Sequence, residues 1–164
     1  MSVLTMKSDE YKTFPLILRE YAEYTVVVKG NSEKTVCEYL LDIRTFFRFM
    51  ITKWDELELS DDEFEKLSIK RINENDVKRI TQKNIIEYLM FAGFKRENSA
   101  TTRMRKLSAL RSFFKYAHAK ERIIEVDPTA DVDAPKKSAT LPKYLTVEEA
   151  VKLIDTVRND KESK

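Results

Sequence analysis

One stretch of this sequence occurs twice in related form, at a constant offset of 67 residues. Residues 31–49 read NSEKTVCEYLLDIRTFFRF, and residues 98–116 read NSATTRMRKLSALRSFFKY. Seven of the 19 aligned positions are identical, and four more are conservative. Helix caps and an apolar stripe explain part of this match, but they do not require Arg-x-Phe-Phe in both copies. The repeat therefore predicts two helical hairpins of similar make, packed into one all-α domain.

Glycine positions and apolar spacing divide the chain into a bundle of four main helices. Gly30 and Gly93 are the only glycines, and each follows an apolar helical pattern, so both are predicted to cap a helix in the left-handed conformation. Residues 14–28 form the first helix, the third begins near Thr81, and the two repeat copies are the second and fourth. Residues 53–79 are expected to be a long acidic connection with a short helix. The residues predicted to face the core are Phe14, Leu18, Tyr21 and Val28 in the first helix, and Val36, Leu40, Ile43, Phe47 and Met50 in the second.

The composition is that of a soluble globular protein, with 42% hydrophobic and 35% charged residues among 164. No apolar run is long enough to cross a bilayer, and the N-terminus lacks the pattern of a secretory signal, so no membrane partner and a cytoplasmic location are expected. Cys37 is the only cysteine and His118 the only histidine, which excludes disulfide frameworks and Cys/His zinc sites in this chain. Cys37 is expected to be a small buried residue, and His118 a structural one. No metal, cofactor or small-molecule substrate is predicted.

Charge is unevenly distributed along a chain whose net charge is only +2. Residues 55–65 contain seven acidic residues and no basic one, whereas residues 99–122 contain seven basic residues and a single acidic one, Glu121. Such segregation can give one face a positive potential while the whole stays near neutral. The alternative is that both runs are solvated helix faces, and charge alone does not decide between them.

Ser32 and Ser99 occupy the start of the two repeat copies and are predicted N-caps. The first turn of a helix exposes N–H groups at the positive end of its dipole, which suits it to bind a phosphate. Thr35 and Thr102, three residues further on, carry hydroxyl groups able to donate to a phosphate oxygen. The alternative for each serine is plain capping without a ligand.

The fourth helix is predicted to carry its apolar stripe on one side and a small, polar, cationic surface on the other. Small residues let a helix backbone approach a groove of DNA, while Arg and Lys reach phosphates or guanine edges. Phe113 falls away from the apolar stripe, so the helix is expected to be covered on more than one side. The apolar side carries Met104, Leu107, Leu110, Phe114 and Ala117; the other carries Thr101, Thr102, Arg105, Ser108, Ala109 and Ser112, with Lys106 on its flank.

An ordered set of motifs spans nearly the whole chain and resembles one family. Ser99, Thr102 and Lys106 are followed by LSALRSFF at 107–114, DP at 127–128, PKK at 135–137 and LPKYLTVEEA at 141–150; upstream, S-x-x-T-x-x-x-Y lies at 32–39 and DIRTFFRF at 42–49. These motifs resemble the SAM-like, core-binding N-terminal domain of tyrosine recombinases, the phage integrase and Xer-type enzymes. The resemblance implies a helical domain that grips one face of duplex DNA while a C-terminal catalytic domain grips the other.

In this family the second and fourth helices approach the major groove, and the linker crosses the DNA. The resemblance divides the chain into a core-binding domain at 1–134, a linker at 135–145 and the first helix of a catalytic domain at 146–164. The residues predicted to contact DNA are Ser32, Lys34, Thr35, Ser99, Thr101, Thr102, Arg105 and Lys106 on the helices, and Lys136 and Lys137 on the linker.

The family's catalytic set is a tyrosine, two arginines, a lysine and usually a histidine, and this chain cannot be matched to it. No catalytic residue is therefore predicted, and the chain is expected to be the DNA-binding arm of a site-specific recombinase, cut just inside the catalytic domain. The resemblance implies duplex DNA and further recombinase subunits, as a tetramer on synapsed DNA, as partners of the full-length protein. One alternative is a helical protein-interaction module without DNA affinity, and another is a stand-alone DNA-binding regulator.

Overall fold

The computed structural model describes residues 5–134, which fold into helices joined by turns and short connections. No strand occurs among these described residues, which confirms the all-α class. The predicted linker and final helix, residues 135–145 and 146–164, lie outside this span. The helices are α1 Ser8–Tyr11, α2 Leu16–Val27, α3 Glu33–Trp54, α4 Asp61–Lys66, α5 Glu74–Lys78, α6 Gln82–Phe94 and α7 Ala100–Lys115, and a π-helical turn, Tyr116–Lys120, follows α7.

The four predicted main helices are α2, α3, α6 and α7, and they enclose one continuous hydrophobic core. All five residues predicted to face the core from the second helix are fully buried, as are Phe14, Leu18 and Tyr21. Val28 is different, because 69% of its surface is exposed. The prediction for Val28 is wrong because α2 ends at Val27 and its C-cap residue lies beyond the packed stripe.

The connection between α3 and α6 forms two short helices rather than one. Each begins with a reciprocal capping box, Ser60 with Glu63 in α4 and Asn73 with Asp76 in α5, which satisfies two backbone N–H groups at the start of each helix. The acidic run is therefore partly used for capping. Phe64 of α4 packs onto the core from outside and is 7% exposed.

The turns of the two hairpins place their left-handed residues at equivalent positions, although the sequence predicted that residue correctly only in the first turn. Gly30 ends the first hairpin's turn with a φ of 77°, as predicted. Gly93 lies inside α6, so its predicted capping role is wrong; a Cβ there would come within 3.4 Å of the Arg103 side chain. The left-handed residue of the second turn is Glu97, with a φ of 53° and 67 residues beyond Gly30.

The same backbone hydrogen bonds close both turns. The N–H of Asn31 donates to Thr25 O at 3.0 Å, and the N–H of Asn98 donates to Ala92 O at 2.9 Å. Each of these two residues of the second turn lies 67 positions after its counterpart in the first. The repeat therefore includes the turns as well as the helices that follow them.

Aromatic side chains show how the two hairpins pack on each other. Tyr21 of α2 meets Phe113 of α7 edge to face with ring centroids 5.5 Å apart, and Tyr88 of α6 meets Phe46 of α3 in the same way at 5.2 Å. Exchanging the two hairpins converts the first pair into the second. Each hairpin thus packs its first helix against the second helix of the other, as two similar units related by an approximate two-fold do.

Candidate nucleic-acid interface

The starts of α3 and α7 are capped in the same way. Ser32 Oγ accepts the N–H of Thr35 at 3.1 Å, and Ser99 Oγ accepts the N–H of Thr102 at 3.2 Å, which confirms both as N-caps. The serine hydroxyls donate in turn to the threonine Oγ1 atoms, at 2.8 and 3.1 Å. Because each threonine oxygen accepts this bond, its own proton remains available to an acceptor outside the protein.

The two starts differ in the charge of their first turn. The first turn of α3 contains Glu33, whereas that of α7 contains no acidic residue. An acidic side chain next to the positive end of the helix dipole competes with any external anion. The start of α7 is therefore the better anion site of the two. Lys34, exposed in the first turn of α3, offsets the charge of Glu33 there.

Arg105 projects from the second turn of α7 and is held by a buried carboxylate of α3. Its Nε and Nη2 donate to Oδ2 and Oδ1 of Asp42, both at 3.0 Å. The Asp42 side chain is 4% exposed and that of Arg105 is 50% exposed. Hydrogen bonding to Asp42 raises the pKa of Arg105 further above its usual range. The guanidinium is thus permanently charged, fixed along one edge, and open to solvent on the rest.

Lys106 does not occupy the exposed flank that the sequence predicted. Its side chain is 10% exposed, and Nζ lies 3.4 Å from Oδ1 of Asp42. Burial lowers the pKa of Lys106, while the nearby Asp42 carboxylate acts in the opposite direction. Lys106 therefore compensates the buried charge of Asp42, and its ammonium group lies inside the protein rather than at the surface where a ligand would bind.

The predicted outer face of α7 is also corrected at Ala109, which is fully buried. Ala109 and the fully buried Phe113 lie four residues apart and form a second buried stripe beside the one that contains Leu110. The helix is covered on two sides, as the position of Phe113 suggested. The exposed surface of α7 is accordingly narrower and consists of Thr101, Arg105 and Ser108 in its first half, with Arg111 and Lys115 near its end.

Asp42 is the residue of this region that sequence reasoning missed as part of a site. It lies next to the core-facing Ile43, where a charged side chain is rarely buried without a partner. The aligned positions differ in a complementary way: Asp42 corresponds to Ala109, and Arg105 corresponds to Glu38. An acidic residue next to a core position in the first copy, together with cations that have no acidic neighbour in the second, is the sequence signal that could have predicted this pair.

The ion pair brings the two capped starts toward one region. Ser32 precedes Asp42 by ten residues and Ser99 precedes Arg105 by six, so each start lies within about 15 Å of the pair along its helix. The structure thus groups most of the predicted contact residues, and Lys106 belongs to the interior of this group. Lys136 and Lys137 lie outside the described residues.

The rest of the described chain has few features of a catalytic or metal site. No helix within residues 5–134 is long and apolar enough to cross a membrane. Over the same span, no three His, Cys, Asp or Glu side chains come together as metal ligands. Cys37 is half-buried rather than buried, and exposed His118 places Nδ1 3.2 Å from the carbonyl oxygen of Ile124.

Known proteins are similar in sequence to this chain over most of its length. Residues 62–121 match the phage integrase, N-terminal SAM-like domain. Tyrosine recombinase XerC of Caldanaerobacter subterraneus subsp. tengcongensis is 34% identical over 145 residues, which cover 88% of this chain and 40% of the relative. The chain carries the N-terminal SAM-like domain of the Xer-like tyrosine recombinase family.

Two further members of this family show how the similarity is distributed. Tyrosine recombinase XerC of Thermodesulfovibrio yellowstonii is 29% identical over 144 residues, covering 88% of this chain and 40% of its own. Tyrosine recombinase XerD of Rhizobium meliloti is 43% identical over 72 residues, covering 44% of this chain and 22% of its own. The chain spans about 40% of the length of the two XerC relatives. No solved structure matches it.

The SAM-like domain match covers only part of the architecture that the structure describes. It begins in α4 and ends one residue after the π-helical turn, so it includes the second hairpin and not the first. The matched turns and aromatic pairs described above relate the first hairpin, α2 with α3, to the matched region.

Proposed function

We propose that residues 5–134 are the DNA-binding arm of a site-specific tyrosine recombinase, which grips duplex DNA at a recombination half-site. One observation carries the proposal: an acid-free, capped helix start lies one and a half turns before an arginine whose guanidinium is fixed by a buried carboxylate. The names of the relatives, tyrosine recombinases XerC and XerD, support it.

In this proposal the two helix starts position the protein, and Arg105 reads the DNA. The first-turn N–H groups and the hydroxyls of Thr35 and Thr102 donate to phosphate oxygens, contacts that fix register without reading sequence. Arg105 uses Nε and Nη2 for Asp42, so the outer edge of its guanidinium, with Nη1, faces the ligand. Such an edge can donate two bonds to O6 and N7 of a guanine.

The charge balance of this cluster favours base reading over simple phosphate attraction. Asp42 neutralises one of the two cations it contacts, so the trio with Arg105 and Lys106 carries a net charge of +1 rather than +2. For a side chain that only attracts phosphates, this pairing weakens the Coulomb attraction. A side chain that has to present a fixed, planar donor pair gains orientation from it.

Titration of a labelled duplex that carries a Xer-type half-site tests the proposal directly. We expect binding at low salt, with log Kd rising linearly with log salt, because each neutralised phosphate releases counterions. Failure to bind at low salt, or an affinity indifferent to salt, would sink the proposal. A folded chain without DNA affinity would instead favour the alternative of a helical protein-interaction module.

Arg105→Ala sharpens the same titration. Loss of a bidentate base contact is expected to weaken binding by roughly 1–3 kcal/mol. Lys83→Ala is the matched control: Lys83 is 84% exposed and lies at the start of α6, the end of the antiparallel second hairpin away from the α7 start. Equal affinities of the two variants, with unchanged circular dichroism, would remove Arg105 from the interface.

The wider proposal extends beyond the described residues. Residues 135–145 would link this arm to a catalytic domain whose first helix is 146–164, with Lys136 and Lys137 on phosphates. Strand cleavage and exchange would be carried out by that C-terminal domain, in a tetramer of recombinase subunits on synapsed DNA in the cytoplasm. Recombination of a plasmid with two target sites by the full-length protein, and its loss in Arg105→Ala, would test this extension.

A further inference from the structure

The approximate two-fold relation of the hairpins gives the domain two equivalent clefts, and within residues 5–134 only one of them is covered by another segment. In the first, Phe49 of α3 packs on Phe91 of α6 with ring centroids 5.0 Å apart. α4 lies over this pair and places the Phe64 ring 5.8 Å from that of Phe91. The guanidinium of Arg96 lies over Phe64, 5.3 Å from its centroid.

The charged groups of the covered cleft are bridged by one carboxylate of α4. Glu65 binds Arg96 Nη2 at 2.7 Å and Arg48 Nη1 at 3.4 Å. Arg48 also donates from Nε to the carbonyl oxygen of Leu67, the C-cap residue of α4, at 2.9 Å. An aromatic residue followed by an acidic one, Phe64-Glu65, therefore covers the rings and pairs both arginines of this cleft, while Lys53 is paired with Glu87 of α6.

The second cleft has an equivalent aromatic floor and equivalent cations, but no segment of the described residues covers it. Tyr24 and Tyr116 pack with ring centroids 5.3 Å apart, and they correspond to Phe91 and Phe49. A cavity of about 270 Å³ lies beside them. Its lysines correspond one by one to the cations of the first cleft: Lys29 to Arg96, Lys115 to Arg48 and Lys120 to Lys53.

The difference between the clefts lies in their carboxylates. None of Lys29, Lys115 and Lys120 forms an ion pair with another residue of the described span. The acidic residues on this side, Glu20, Glu23 and Glu121, lie at the rim beside the two tyrosines, and Glu23 accepts a hydrogen bond from the Tyr11 hydroxyl. The second cleft thus keeps three cations and an aromatic floor without the carboxylate that the first receives from α4.

We propose that this second cleft, formed by Tyr24, Lys29, Lys115, Tyr116 and Lys120, binds a short helical turn of a partner protein in which an acidic residue follows an aromatic one. The aromatic ring would pack on the two tyrosines as Phe64 packs on Phe91, and the carboxylate would join Lys29 and Lys115 as Glu65 joins Arg96 and Arg48. Charge complementarity and the chain's own α4 define this ligand chemistry.

The composition of the cleft favours a peptide over a DNA phosphate. Two aromatic rings form its floor, and packing a ring against them contributes about 0.5–1.5 kcal/mol beyond its burial, a contribution that a phosphate cannot make. The rim carboxylates of Glu20, Glu23 and Glu121 repel a polyanion more strongly than a peptide with one carboxylate at the right place. The inference is independent of the DNA-binding proposal.

The chain itself provides the probe. A labelled, end-blocked peptide of residues 59–67, LSDDEFEKL, is titrated into the isotope-labelled chain and followed by amide chemical shifts. We expect saturable shifts at Lys29, Lys115 and Tyr116, with a Kd on the order of 1 mM or tighter, since the free peptide lacks the tether that α4 has. Peptides with Phe64→Ala or Glu65→Lys are expected to bind at least fivefold more weakly.

Variants of the chain separate this site from other surfaces. The double variant Lys29→Glu with Lys115→Glu is expected to lose the peptide, whereas Lys83→Glu keeps it. Shifts confined to Phe91 and Arg96 would mean that the peptide only exchanges with α4 and would overturn the proposal. So would the absence of saturable shifts, or a loss of duplex affinity in the double variant as large as that in Arg105→Ala, which would assign the cleft to DNA.

Discussion

The first hairpin, α2 with α3, and the second, α6 with α7, share their scaffold and differ in their polar groups. Caps, turns and aromatic pairs recur at the same offset in both. The differences lie where the copies meet or face outward: a buried acid opposite two cations, a hydroxyl with and without a partner, and a glycine opposite a glutamate. The shared residues build the domain and its two capped helix starts, and the differing residues, such as Asp42 and Arg105, give the two starts different charge.

Removing the buried acid breaks the largest of these differences. Asp42→Ala leaves the buried Lys106 ammonium without its carboxylate, and breaking a buried ion pair from one side costs about 3 kcal/mol. We expect the free energy of unfolding, measured by urea denaturation, to fall by that amount. The equivalent residue of the second hairpin is Ala109, which already has the small side chain that the substitution introduces.

A second variant shows whether charge or packing causes this loss. Adding Lys106→Met to Asp42→Ala removes the unpaired charge and keeps most of the volume, so the double variant should recover much of the lost stability. A loss below about 1 kcal/mol in Asp42→Ala would contradict the buried ion pair as a structural joint. Equal losses in the single and double variants would assign the effect to packing alone.

The two buried tyrosines, Tyr21 and Tyr88, are at equivalent positions, but removing their hydroxyl groups should change the free energy of unfolding differently. Tyr21 OH lies 2.7 Å from Ser112 Oγ, whereas Tyr88 OH is buried without a hydrogen-bond partner in the described span. The residue equivalent to Ser112 is Thr45, whose hydroxyl donates to Leu41 O instead. Burial raises the pKa of Tyr21 to about 12 and that of Tyr88 further, so both stay protonated.

Tyr21→Phe should therefore lower the free energy of unfolding by about 1 kcal/mol, because it removes a satisfied bond. Tyr88→Phe should be neutral or raise it by up to about 1 kcal/mol, because it removes an unsatisfied buried hydroxyl. Thermal denaturation of both variants under the same conditions measures the contrast. Equal losses in both would show that Tyr88 OH has a partner.

An effect of similar size to that of the tyrosines is expected at the left-handed residues of the two turns. A Cβ at Gly30 meets nothing within 4 Å, so Gly30→Ala should cost about 1 kcal/mol through backbone strain alone. Glu97→Gly should add about 0.5–1 kcal/mol, because it relieves the same strain in the second turn. Urea midpoints that move in the same direction for both substitutions would contradict the equivalence of the turns.

Much of the scaffold was predictable from sequence because the repeat combines two strong local signals. Serine caps fix where α3 and α7 begin, and this prediction holds at Ser32 and Ser99. Apolar spacing predicts the buried side of α3, whereas in α7 it misses the burial of Lys106 and Ala109. The π-helical turn and the short helix α1 were not predicted, since neither has a periodic pattern long enough to detect. Gly93 was assigned a cap from its residue type and the apolar pattern before it, but α6 continues through Gly93 to Phe94.

The candidate site was less predictable than the scaffold. Arg105 was identified from its position among small residues, but its partner lies 63 residues away in another helix, and no local pattern encodes that contact. The same limit explains Lys106. A lysine on a helix flank is usually exposed, and the buried Asp42 carboxylate offsets the free-energy cost of burying this one. The pairing of the clefts likewise depends on tertiary contacts of α4.

The most direct measurement of the central claim is an amide chemical-shift titration of the chain with a duplex that carries a Xer-type half-site. If both hairpins offer a capped start to DNA, resonances of Ser32–Thr35 and Ser99–Thr102 should shift together and saturate at one stoichiometry, with larger shifts at α7 and none at Lys83. Saturable binding that leaves both starts unshifted, or shifts only the residues around Lys29 and Lys115, would contradict it.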